Sequence, residues 1–431
     1  MKVFFGLDIA TEGARLVIID EMANVRHRFK VKLTKVELGQ NGSRRQDSNS
    51  WFKASIELIN LALHKCDENN WQPISLSITA TSGTFVITDE NAEAISDGIM
   101  YNDGTADNPY SRAEKLDKSG FFKHVPEFVI SKLSNTNFIV SDSSHCLKTG
   151  FNLAEKKWNV SSSNLNLPDV VAPGSELIEL NLFGHKLKVI AGMTDGCTSQ
   201  ISGGGVMPNA AVTTLGTTMV LKQTASKNIS GPGFYSHYLA DGYWLLGGAS
   251  NLGGISYRDF NQLNKLGMQI NLEDKNEIVC YPLAQIGERF PIKNGQMKAI
   301  WSENPKNKLT RFRSILEGIG YAEKLGYELL ARAGADTYLK LSTVGGGSSS
   351  NIWNQIRATI LQTEIEVRKE AGSDLGAAMI ALAANQTGPF AKNLSGIPLP
   401  AKLSFQPNSK MIPHYQENYE KFLELISVKD R

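Results

Sequence analysis

Two strand–turn–strand segments, one opening each half of the chain, constrain the fold most. Lys2 to Leu7 is nearly continuous in apolar residues, as a central strand is. Asp8-Ile9-Ala10-Thr11-Glu12-Gly13-Ala14-Arg15 follows, and Leu16-Val17-Ile18-Ile19-Asp20 reads as a second strand. A turn carrying Thr11 and Gly13 joins them as a hairpin, where a Rossmann or P-loop chain would open a helix. A third strand is expected from about Val25 to Leu33. Residues 210–221, Ala-Ala-Val-Thr-Thr-Leu-Gly-Thr-Thr-Met-Val-Leu, repeat the pattern as strand, Gly-Thr-Thr turn and strand. Each turn taken alone is equally a structural hairpin. The pair indicates duplicated domains facing a shared cleft, each offering amides and hydroxyls to phosphates.

At 431 residues the chain exceeds one compact core. Composition turns small and glycine-rich from Ser199 to Pro208, which places a boundary near 205 and predicts domains 1–205 and 206–431. The net charge of +2, with neither a basic arm nor an acidic tail, argues against a nucleic-acid partner. No apolar run approaches the roughly 18 residues of a membrane span. Asp8 and Glu12 interrupt the apolar N-terminus, so it reads as a buried strand and the protein as cytoplasmic. The four cysteines are scattered without metal or redox spacing, and the seven histidines form no HxxxH pair.

The chemistry concentrates on a lone carboxylate. An apolar strand, Leu187 to Ile190, leads into Ala191-Gly192-Met193-Thr194-Asp195-Gly196, and a glycine-rich segment leads out. Strand, acid and helix start place Asp195 where it can take a proton from a substrate hydroxyl, or where it caps the helix. Asp8 ends the first strand and can hold a metal and its waters. Met100-Tyr101-Asn102-Asp103 ends in an Asn-Asp pair suited either to sugar hydroxyls or to an Asx turn. Helices are expected over Ser48–Asp67, 106–118 and Leu309–Arg332. The strand Ile74–Ile78 runs into the polar loop 79–84. Ser141 to Gly150 reads as a capped helix start, and 160–167 as a surface loop. Thr337 to Val344 is a strand, followed by Gly345-Gly346-Gly347-Ser348 and a capped helix over 352–363. Such a glycine triplet lets a backbone approach a ring or phosphate closely. Leu375 to Ala383 is a small-residue helix read as core, and Tyr415, Tyr419, Phe422 and Leu423 mark a closing amphipathic helix.

Together these pieces resemble the FGGY family of carbohydrate kinases. Asp8, Thr11 and Arg15 fit its first phosphate turn. Gly192 and Asp195 fit its catalytic-base segment. Thr214, Gly216, Thr217 and Thr218 fit its second phosphate turn. Gly345 to Ser348 with Asn351, Trp353, Asn354 and Gln355, then Leu375-Gly376-Ala377-Ala378, fit its adenosine segment. The resemblance implies an α/β fold of two RNase H-like (actin-like ATPase) domains with a cleft between them. It implies ATP and Mg²⁺ as cofactors, Asp195 as general base, and Asp8 on the metal. Thr11, Arg15, Gly216, Thr217, Thr218, Gly346, Gly347 and Asn351 would hold ATP, and Ser82, Asp103, Asp8 and Asp195 the sugar. Met100–Asp103 and Ser141-Asp142-Ser143 with Lys148 resemble the short D-ribulose kinases of cyanobacteria and plants. Thr84-Phe85 stands where bacterial xylulokinases carry Met-His, which argues against a standard xylulokinase site.

The expected reaction is therefore phosphorylation of D-ribulose by a cytoplasmic enzyme, with homodimerisation open. D-xylulose, L-ribulose, a polyol and glycerol are the alternative acceptors. Two departures sit in the first turn. Ala10 replaces the usual glycine, at a cost of about 1 kcal/mol if its φ is positive. Glu12 replaces serine or threonine and would repel phosphate. They motivate a rival, a non-catalytic sugar or nucleotide sensor. An actin- or chaperone-like ATPase is a further rival. Thr359 also stands near where the family has an acid.

Overall fold

The computed structural model describes residues 1–160, 164–258, 266–368, 370–399 and 403–427. Residues 161–163 of the loop expected over 160–167 lie outside these. The chain divides into two compact units. The first comprises Met1–Ser202, His237–Gly242 and Gly372–Pro398, and the second Gly203–Ser236, Tyr243–Ala371 and Leu399–Arg431.

The first unit is built on β1 (Lys2–Ile9), β2 (Gly13–Asp20), β3 (Val25–Lys32), β4 (Gln72–Ala80), β5 (Glu176–Leu182) and β6 (His185–Ile190), in the order β5-β6-β4-β1-β2-β3. β1 and β2 form the expected antiparallel hairpin, with Asp8 opposite Arg15. β3 continues it antiparallel, and β1–β4 and β4–β6 run parallel. Seven of the eight β1 residues are buried, as its unbroken apolar run requires, whereas β3 alternates half-buried and exposed positions. The helix Ser48–Asn69 starts at an Asp47 cap and ends at Asn70 in the left-handed region, φ 52°. The helix expected over 106–118 is only Pro109–Glu114, because Asn108 caps it and Pro109 takes its first position. A smaller sheet buries Phe85, stacked on Phe122 at 4.5 Å.

The second unit contains β7 (Ala210–Leu215), β8 (Met219–Ala225), β9 (Tyr243–Ala249), β10 (Lys340–Val344), β11 (Ile365–Val367) and β12 (Leu403–Phe405), in the order β9-β8-β7-β10-β11-β12. Neighbours along this sheet run antiparallel, antiparallel, parallel, parallel, antiparallel. Read from β3 to β5, the first sheet has the same succession. The duplication expected from two hairpins extends to six successive strands; the second sheet carries a seventh, Phe234–Ala240, beside β9. The helix Lys308–Arg332, capped by Asn307, packs its apolar face into the unit's core.

One expectation needs correction. A single boundary near 205 does not describe the chain, since Gly372–Pro398, expected in the second domain, belongs to the first. The helix Ser373–Ala384 explains why. A Cβ at Gly6 of β1 would stand 2.0 Å from the Asp374 carbonyl oxygen, and one at Gly376 would stand 1.9 Å from that of Thr198. Paired glycines let this helix lie backbone-to-backbone on β1 and on the helix Asp195–Ser202. Its small residues are core packing, as read.

Candidate active site

In the first unit, three acidic residues gather where β1, the helix Asp195–Ser202 and the helix Ser373–Ala384 meet. Asp8 lies one residue before the end of β1, nearly fully buried, and its Oδ2 accepts from Arg15 Nη2. Its Oδ1 is buried and has no protein partner. Burial pushes the Asp8 carboxyl up to about 7; Arg15 opposes this, while Asp195 and Asp374 add to it. Asp374 pairs with Arg28 Nε at 2.7 Å. Two guanidinium groups thus face three carboxyls.

The loop that delivers Asp195 is pinned from several sides. A Cβ at Gly192 would meet the Ile78 carbonyl oxygen at 2.2 Å, so only glycine lets the chain cross the end of β4. Thr79 Oγ1 donates to the Met193 carbonyl at 2.7 Å, and the Thr194 N–H donates to Ser144 Oγ at 2.9 Å. Ser373 Oγ donates to the Asp195 carbonyl at 3.3 Å. Asp195 is half-buried at the first position of its helix, and its Oδ1 accepts from the Gly196 N–H at 2.8 Å. It therefore stands within the first turn of its helix, one position inside the cap, and its charge also acts on Asp8 and Arg15.

The first turn removes two objections. Ala10 is not among the residues with positive φ, and its N–H donates to the Gly13 carbonyl at 3.1 Å. The expected strain at Ala10 is absent. Glu12 is solvent-exposed, where water and salt screen its charge. Half-buried Thr11 holds its place by accepting, on its carbonyl, from Gln46 Nε2 at 2.9 Å.

Ser82 and Asp103 lie on adjoining loops, joined by a bond from the Tyr101 N–H to Thr84 Oγ1 at 3.1 Å. Ser82 Oγ is buried without a protein partner. Asp103 differs from expectation. Its Oδ2 accepts from the Arg44 N–H at 2.7 Å and from Arg45, and its Oδ1 accepts from the Thr105 N–H at 3.0 Å and the Thr105 hydroxyl. Burial works against its ionisation, yet the Thr105 and Arg44 hydrogen bonds and the Arg45 charge hold it below the usual carboxylate range. Asp103 pins its own loop, and its acceptor sites are taken by protein donors.

In the second unit, Leu215-Gly216-Thr217-Thr218 forms a tight turn in which the Gly216 N–H donates to the Thr218 carbonyl at 3.0 Å. The Gly254 N–H donates to the Gly216 carbonyl at 2.9 Å and the Ile255 N–H to that of Thr217 at 3.0 Å, so Gly253-Gly254 braces the turn. Gly345, at φ 90°, presses on Leu215: a Cβ there would stand 2.6 Å from its carbonyl oxygen. A Cβ at Gly347 would meet Trp353 at 2.7 Å, whereas one at Gly346 would meet nothing. Two of the three glycines serve the chain's own packing, and Gly346 alone faces open space. Asn351 begins the helix Asn351–Leu361, capped by Ser350, and is exposed. The predicted turn and the predicted triplet are thus one local constellation.

Sequence reasoning missed Asp374, Thr79, Ser144 and the Gly253-Gly254 brace. It also missed a fully buried pair beneath the second turn, in which Arg357 donates through Nε and Nη2 to Glu323 at 2.7 and 2.6 Å. Thr213 Oγ1 donates to the same Glu323 at 2.5 Å. An arginine and a glutamate inside apolar helical stripes, at Arg357 and Glu323, were the available signal. Among the described residues no group of three or more His, Cys, Asp or Glu is placed to hold a metal. The unpartnered Asp8 Oδ1 fits an ion taking one carboxylate, with water and phosphate completing its shell. No helix among the described residues is long and apolar enough to cross a membrane.

Comparison with known proteins gives a consistent picture. Residues 3–159 match the N-terminal domain, and residues 211–385 the C-terminal domain, of the FGGY family of carbohydrate kinases. A xylulose kinase of Staphylococcus epidermidis is 23% identical, over 97% of this chain and 95% of the relative. A solved xyloylose kinase from Brucella ovis superposes with a TM-score of 0.86 at 18% identity, covering 99% of each chain. Plasmodium falciparum glycerol kinase, solved with ADP, gives 0.81 at 16% identity, covering 98% of each chain. Acceptors as different as these share the fold, so the fold alone does not choose the sugar.

Proposed function

The chain belongs to the FGGY family of carbohydrate kinases, and on that premise we propose that it transfers the terminal phosphoryl group of ATP to a hydroxyl of a free ketopentose. The observation that carries this reading is Asp195, opening a pinned helix beside buried Asp8 and its partner Arg15. Asp195 accepts the proton of the attacking hydroxyl as its oxygen bonds to phosphorus and ADP leaves, a contribution typically worth about 10²–10⁴-fold. Thr11, Arg15, Gly216, Thr217 and Thr218 are the phosphate-binding residues of this reading. Gly346, Gly347 and Asn351 flank the adenosine. Mg²⁺, when bound, neutralises phosphate charge, and Asp8 Oδ1 would hold it, directly or through water. Ser82 takes a sugar hydroxyl, and Asp103 supports the adjoining loop.

The names of the curated relatives favour D-xylulose as acceptor. D-ribulose, suggested by Met100–Asp103 and Ser141–Ser143, is the second candidate. The sensor reading loses its motive with the unstrained Ala10 and the exposed Glu12. A coupled ADP-release screen over D-xylulose, D-ribulose, L-ribulose, pentitols and glycerol tests the proposal. One ketopentose should lead, and Asp195→Asn should lower its kcat by about 10²-fold or more. Silence of the wild-type protein with every acceptor would sink the reading.

A further inference from the structure

A buried polar cluster centred on Asp142 and His145 lies beside the Asp195 loop. Asp142 caps the short helix Ser143–Leu147, accepting from the Ser144 and His145 N–H groups at 2.9 and 3.0 Å and from Ser144 Oγ at 2.7 Å. Its other oxygen, Oδ2, holds His145 Nδ1 at 2.5 Å. With Nδ1 donating to a carboxylate, the ring is fixed and Nε2 is turned away from Asp142. His145 is fully buried, and its Nε2 has no protein partner.

Two contacts place this helix in the acceptor region of the first unit. Ser144 Oγ takes the Thr194 N–H, one residue before Asp195. The side chain of Lys148, at the helix end, lies 4.0 Å from where a Cβ on Gly83 would be, next to Ser82. Ser143 Oγ and Ser82 Oγ are, like His145 Nε2, buried without protein partners. Unpaired buried polar groups cost roughly 1–3 kcal/mol each, so three on neighbouring segments call for a polyhydroxylated occupant.

We propose that His145 is an acceptor-binding residue, its Nε2 hydrogen-bonded to a hydroxyl of the sugar, with Asp142 as its positioning residue. This rests on the sugar-kinase reading. Burial alone would lower the His145 pKa, but Asp142, then Glu127 and Asp195, raise it above the ordinary histidine value. The other group facing it is His124, whose ring centroid lies 5.9 Å away. Either charge state serves the contact: the imidazolium donates from Nε2 to a sugar oxygen, and the neutral ring with its proton on Nδ1 accepts there from a sugar hydroxyl.

His145→Asn and His145→Gln, assayed with the best ketopentose and with ATP, test the proposal. KM for the sugar should rise roughly ten- to a hundredfold with KM for ATP unchanged, and more in the Asn than in the longer Gln variant. Equal sugar KM in the wild type and both variants would overturn it. So would parallel changes in both KM values, the mark of a merely structural role. If neither variant folds, long-range ¹H–¹⁵N spectra of the wild-type imidazoles decide: adding D-xylulose or D-ribulose should shift the His145 ring signals, and an unmoved signal at saturating, turned-over sugar would refute the role. A wild type without turnover on any sugar would instead defeat the parent reading, so the two failures are separable.

Discussion

Asp8 is held against its own preference. Its carboxyl is pushed from 3.8 to about 7 by burial, helped by Asp195 and Asp374 and opposed by Arg15. A carboxyl with a raised folded-state pKa favours the fold while protonated. That stability is fully present below about 4 and is lost as pH rises through about 7. At pH 8 the ionised group costs up to about 4 kcal/mol. Asp8→Asn should therefore raise Tm at pH 8 and change it far less at pH 4.5, while depressing kinase activity. A Tm gain independent of pH would contradict the assignment. Asp103 makes the converse point. Its neighbours Asn102 and Gly104 gave no hint that Arg44 and Arg45, some sixty residues earlier, claim its oxygens. The Asn-Asp pair was visible, but its partners depended on tertiary approach.

At the scale of elements, the hairpins were legible because they are local: strand, turn and strand are contiguous, and the turn residues encode them. The short helix Pro109–Glu114 was over-read because helical periodicity ran past the Asn108-Pro109 start signal. The glycine triplet was recognised as special, but the division of labour within it was not, since Leu215 and Trp353 press on it from elsewhere in the chain. That division is testable. Gly345→Ala combines φ 90° with a Cβ 2.6 Å from a carbonyl oxygen and should cost at least about 2 kcal/mol in urea denaturation. Gly346→Ala meets no atom, so its stability should change by less than about 1 kcal/mol. If Gly346 lies against the nucleotide, KM for ATP should rise at unchanged sugar KM, and an unaffected ATP KM would remove it from that role.

For the whole molecule, the repeat of one sheet pattern in two units was foreseeable from two similar hairpins. The return of Gly372–Pro398 to the first unit was not, because nothing local marks Gly6 and Gly376 as partners of distant backbone. The consequence for dissection is direct. A fragment of residues 1–205 leaves the face of β1 uncovered and the Asp195 helix without its neighbour. It should lack cooperative thermal unfolding by circular dichroism. The same fragment carrying residues 372–398 on a flexible linker should regain it. Cooperative melting of the bare fragment would show that the small-residue helix is dispensable.

The helix Ser373–Ala384 also sets a schedule for the chain as it is made. β1 ends at Ile9, and the helix that covers it is complete only 375 residues later. At roughly 5–20 residues per second, a ribosome separates the two by about 20–75 s. Throughout that interval the first sheet emerges with one apolar face bare, and a nascent chain in this state is a natural client for a holding chaperone. Slowing translation after residue 202 should lengthen that exposure and lower soluble yield, with no change in the finished protein.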